Sequence, residues 1–173
     1  GRLAGADRYA TAEAIATHVL AQAKAGNPAY KNLFDKNGRL RTVYLANGSD
    51  AHLVDSMVAG TLGDGPTLLT RPDGTLSEVL YAPNSPDAAA RLTAAIASNP
   101  IFSGVEQVTA IGGTASVHEA TLDTVAKALK ASQTGRLAGG GRHTTGAGIA
   151  PHVPARAKGG NPAVKKLFDK NGR

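Results

Sequence analysis

Residues 1–39 of this chain, from GRLAGADRYATAEAIATHV to NPAYKNLFDKNGR, return without a gap as residues 135–173, with roughly two-thirds of the aligned positions identical. Such a repeat leads one to expect a folded unit that ends where the next one begins. The 173 residues hold one full period and the opening of another.

The two copies are not equivalent. Ala6-Asp7 becomes Gly140-Gly141, Ala12 and Ala14 become Gly146 and Gly148, and Thr17 and Leu20 become Pro151 and Pro154. Inside a helix each proline costs about 3 kcal/mol and each glycine about 1 kcal/mol relative to alanine. The first copy can form a helix that the second cannot. This predicts an α/β domain over residues 1–134, followed by a partial, degenerate second repeat over 135–173 that is mobile and protease-sensitive. A basic tail that binds acidic polymers is the competing reading of the second copy. Its charges are scattered and its helix breakers clustered, which favours an altered repeat.

Composition narrows the function classes. A hydrophobic content of 42% is enough for one substantial core. Aromatic residues make up 4% and tryptophan is absent, so that core is aliphatic and a stacking platform for sugars is poorly supplied. Cysteine is absent, which removes disulfides, thiolate metal sites and cysteine nucleophiles together. No stretch approaches the roughly 18 apolar residues of a membrane span, and no signal sequence opens the chain. Gly1 in place of an initiator methionine reads as the start of a fragment.

The net charge of +6 invites a nucleic-acid reading. From Arg136 onward, however, stand Arg136, Arg142, Arg156, Lys158, Lys165, Lys166, Lys170 and Arg173 against the single acid Asp169. The part before them is almost neutral, and a nucleic-acid partner is not expected.

Tyr9 to Lys24 reads as a helix, with Ala12, Ile15, Ala16, Val19 and Ala23 at three- and four-residue spacings and Asp7 at the N-cap position. Thr42–Ala46 and Thr67–Thr70 read as short buried strands, separated by a helix from Leu53 to Leu62 and the breaker Gly65-Pro66. Further helices are predicted over Ala88–Ala97 and Val117–Lys130, with a strand over Val105–Ile111 and a turn at Gly112-Gly113. Alternating strands and helices imply a mostly parallel sheet covered on both faces. Ligands of such sheets gather at the carboxyl ends of the strands. Here those loops are Asn47–His52, Arg71–Thr75 and Gly112–Ser116.

The strings GADRYATAEAIA, VYLANG, GPTLLT and IGGTASV, in that order across residues 2–130, resemble the cell wall-binding repeat 2 family of bacterial surface proteins. The resemblance implies a small three-layer Toprim-like or Rossmann-like α/β module. Such modules commonly occur as three consecutive copies and anchor a secreted Gram-positive surface protein, without catalysis, to an anionic secondary cell-wall polymer. The implied partners are that polymer and sibling repeats in the same chain, with no cofactor. Carried over by motif, Arg8, Tyr9 and Thr11 match the family's opening together with Asp7, Asn47 and Asp55 match the segment after the first strand with Gly48, and Gly112, Gly113 and Thr114 match the late turn. His118 stands where the family more often has serine, and His52-Leu53 form an atypical loop.

Each of these residues also has a plainer reading. Arg8 can bind a phosphate or carboxylate in bidentate fashion, or pair with Asp7 or Asp55 and lock the start of the helix. Gly112-Gly113-Thr114 can cradle an anion at a helix N-terminus, or serve only as a strand-to-helix turn; its spacing is not that of a nucleotide loop. Asn47-Gly48-Ser49-Asp50 reads as a turn before it reads as a cation or sugar site. The histidines His18, His52, His118, His143 and His152 show no paired metal spacing, so no metal is assigned. Ser49, Ser56 and Ser116 lack a nucleophile elbow, and no catalytic residue is assigned.

Overall fold

The computed structural model describes residues 1–74 and 104–138. The predicted helix over Ala88–Ala97, Thr75 and the tail beyond residue 138 lie outside the described residues. Four parallel strands, β1 (Thr42–Asn47), β2 (Thr67–Thr70), β3 (Gln107–Ile111) and β4 (Gln133–Leu137), form one sheet in the order β2-β1-β3-β4. Three described helices accompany it: α1 (Arg8–Lys24), α2 (Leu53–Ala59) and α3 (Glu119–Ala128).

The period-two alternation of β1 assigns the faces. Val43 and Leu45 enter one core with Leu68, Val108 and Ala110, which is covered by Ala16, Leu20 and Ala23 of α1 and Leu122 and Val125 of α3. Tyr44 and Ala46 face the opposite side, where Ile111 meets Ala59 of α2 and Leu62. Both faces are thus apolar, and all six residues of β1 are buried. Tyr44 is buried whole because its hydroxyl donates to Asp64 Oδ1 at 2.6 Å.

Helix α1 starts one residue earlier than predicted and is capped as expected, the Asp7 carboxylate accepting from the Ala10 N–H at 2.8 Å. Leu20, whose place Pro154 takes in the second copy, is fully buried. Burying a leucine contributes roughly 1.5–3 kcal/mol. A proline substituted for Leu20 would remove a core anchor as well as a helix hydrogen bond.

Element ends differ from expectation for local reasons. Val105 falls outside β3 because its N–H turns to Leu129 O. Helix α2 stops at Ala59, where Thr61 and Leu62 close tight three-residue turns onto Val58 and Ala59. Helix α3 begins at Glu119 because the Ser116 and Val117 amides are drawn back to Gly113 O. Strand β4 was not anticipated: Gln133, Thr134, Gly135 and Arg136 carry no apolar alternation. It runs across the start of the second copy, whose first three residues lie in the sheet of the first.

Candidate functional site

The carboxyl ends of β1, β2 and β3 meet the N-terminus of α1, and most of the residues singled out by motif come together there. Asn47, the last residue of β1, is 1% exposed. Its amide donates to Ser116 O at 2.8 Å and its carbonyl accepts from the Ser49 N–H at 2.9 Å, tying the loop after β1 to the loop after β3. The Tyr9 ring lies over the end of β1, so close that a β-carbon on Gly48 would come within 2.6 Å of Tyr9 Cε1.

Arg8 donates to Gly48 O at 3.0 Å and to Asp50 Oδ1 at 2.5 Å. Its ionic partner is thus Asp50, not the Asp7 or Asp55 considered from sequence, because the loop after β1 folds back over the start of α1. The hydrogen bond to Asp50 holds the Arg8 guanidinium above its ordinary pKa. Both side chains remain open to solvent, at 45% and 87%. Arg71, first residue after β2, places its guanidinium 4.7 Å from the centre of the Tyr9 ring and 3.9 Å from Asp7 Oδ2. Two arginines therefore flank one tyrosine. The sequence marked the loop that holds Arg71 but not the residue, since only the fold brings the end of β2 to α1.

Asp55 sits deeper, 4% exposed. Its Oδ2 is 4.0 Å from His52 Nδ1 and accepts from the Ser116 hydroxyl at 3.5 Å, while that hydroxyl is 2.8 Å from the same His52 Nδ1. Oδ1 of Asp55 is buried without a hydrogen-bond partner. Gly112 makes this packing possible: its φ is +96°, and a β-carbon there would stand 2.8 Å from Asp55 Oδ2. Acid, histidine and serine are in reach of one another, yet both the acid and the serine address one ring nitrogen. A proton relay needs them on opposite nitrogens. Ser56, next to Asp55 in sequence, instead donates to Leu53 O at 2.8 Å.

Thr11 and Thr114 stand apart from this set. The Thr11 hydroxyl accepts from the Gly5 N–H at 3.0 Å, bracing the segment before α1, and Thr114 is exposed. The Gly112 N–H is engaged by Leu137 O at 2.8 Å, Gly113 O accepts from Ser116 and Val117, and α3 starts only at Glu119. The Gly-Gly-Thr turn is therefore not the first turn of a helix. Among the described residues, no cluster of three or more histidine or acidic side chains could hold a metal ion, and no helix is long and apolar enough to cross a membrane.

Residues 2–122 match the family described as Cell wall binding domain 2 (CWB2). This chain belongs to the CWB2 family. The match starts at Arg2, runs through all three loops of the cluster and stops within α3, short of β4. Among solved structures, Cwp6 from Clostridium difficile superposes with a TM-score of 0.55 at 22% identity, over 87% of this chain and 19% of that one. At that identity the likeness speaks for the fold. The chain spans about a fifth of the length of Cwp6. No curated protein sequence matches it. The CWB2 domain is a small α/β cell wall-binding module of the kind found in cell-wall-associated surface proteins.

Proposed function

We propose that this CWB2 domain anchors a secreted surface protein non-covalently to an anionic secondary cell-wall polymer, without catalysis, at the carboxyl end of its sheet. The observation that carries this reading is the pair of arginines, Arg8 and Arg71, flanking Tyr9 at the strand ends. Asp50 neutralises Arg8 in the free domain but is almost wholly exposed, and a surface ion pair of that kind is readily exchanged for a phosphate or carboxylate. The guanidinium stays anchored to Gly48 O during that exchange, which keeps it oriented. Behind the site, Asn47 ties the loops after β1 and β3 together, and Gly112 leaves room for Asp55.

The test is co-sedimentation of the full chain, and of a chain ending at Ala138 without the basic tail, with Gram-positive walls before and after acid removal of the secondary polymer. Both forms pellet with intact walls and stay in solution with stripped ones. Arg8→Ala and Arg71→Ala weaken pelleting while leaving the melting temperature in place. Binding that survives stripping, or that disappears with the tail alone, overturns the reading.

A second reading has its own support. Met57 is 68% exposed and Ile15 is 45% exposed, and both line an open apolar groove with Val19, Pro66 and Leu69. That surface suits packing against sibling repeats without polymer contact. Concentration-dependent self-association, abolished by Met57→Lys, together with no wall binding, would select it.

A further inference from the structure

The same tripeptide occurs twice in this chain in opposite surroundings. As Gly135-Arg136-Leu137 it is the end of β4, with Gly135 opposite Thr109, Arg136 opposite Ala110 and Leu137 opposite Ile111. Leu137 packs with Ile111 against the second core, and its carbonyl takes the Gly112 N–H at 2.8 Å. Arg136 donates to Gly112 O at 3.0 Å, to Val117 O at 2.9 Å and to Glu119 Oε2 at 2.7 Å, closing the loop after β3. As Gly1-Arg2-Leu3 it is exposed coil, Leu3 being 43% exposed. Both copies continue Ala-Gly.

A sequence that docks beside β3 in one place carries the same information in the other. We propose that Gly1-Arg2-Leu3 is the closing strand of a neighbouring domain: it completes, as fourth strand, the sheet of a preceding copy of this fold. Arg2 there does what Arg136 does here, gripping the glycine turn at the preceding copy's site. The folding unit is thus offset from the sequence period. Each domain's carboxyl-end cluster is completed by an arginine belonging to the repeat that follows. Because α1 begins five residues after Leu3, an extended connection reaches at most about 18 Å. The arginine-tyrosine cluster of one copy therefore lies beside the glycine turn of the copy before it. This inference rests on the repeat and on the sheet register, and is independent of what the site binds.

The experiment is a concatemer at the natural period, residues 1–134 fused directly to the full 173-residue chain. Arg2→Ala at the junction is expected to lower the upstream melting temperature by about 5 °C, matching Arg136→Ala in the single chain. It also speeds hydrogen exchange of the upstream Gly112 amide by roughly tenfold or more. Arg2→Ala at the free start of either protein changes neither. A silent junction substitution, an equal loss from the free start, or a concatemer that does not fold overturns the proposal.

Discussion

Arg8 and Arg136 are two arginines at one end of one sheet, and they are held in different ways. Arg136 reaches two backbone carbonyls and a carboxylate, and its side chain is 19% exposed. Arg8 reaches one carbonyl and one carboxylate, and its side chain is 45% exposed against a partner at 87%. A guanidinium that satisfies half-buried carbonyls cannot leave without stranding them. One that rests on an open aspartate can trade partners. The first belongs to the fold, and the second is free to exchange its partner.

Paired alanine substitutions followed by thermal melting separate the two arginines most clearly. Arg136→Ala is expected to destabilise by about 2 kcal/mol, since it orphans the Gly112 and Val117 carbonyls. Arg8→Ala is expected to leave the melt unchanged and to lose wall binding. Equal losses of stability would break the distinction. Asp7→Ala comes next, at about 1 kcal/mol, because it removes the cap on the Ala10 N–H. In the second copy glycine, Gly141, stands at the equivalent position.

The smallest effect concerns charge without a partner. Burial pushes the Glu13 carboxyl above its ordinary value of 4.5, and Oε2 has no hydrogen-bond partner. A raised folded-state pKa means that ionised Glu13 opposes folding at neutral pH, and that the penalty vanishes where both folded and unfolded forms are protonated. Glu13→Gln should therefore raise the melting temperature by about 2 °C at pH 7. The gain should fade as the pH falls to 4.5 and below. A gain that persisted in acid would mean that the charge is not the cause.

Much of this was legible in the chain. The turn-bounded apolar runs TVYLA and TLLT became β1 and β2, and the capped apolar spacing after Asp7 became α1. Of the site residues named by motif, Arg8, Tyr9, Asn47, Asp55 and Gly112 do converge. Thr11 and Thr114 do not, because a motif records identity and not the direction in which a hydroxyl points. The loops that hold Arg71, His52 and Ser116 were marked in the sequence, but that these side chains meet Tyr9, Asp7 and Asp55 came only from the fold. Strand β4 was missed for a related reason. An edge strand with one apolar residue draws its hydrogen bonds from a neighbour, β3, that lies more than twenty residues away.

The sequence by itself determined the alternation of helix and strand, the α/β class and the family. These follow from local periodicity, capping and breaker residues, which act over a few positions. The tertiary structure decided which aspartate meets Arg8, which serine meets His52, and that the opening tripeptide of one repeat closes the sheet of another. Those pairings join residues distant in the chain, and they are set by strand order and register, which no local pattern encodes.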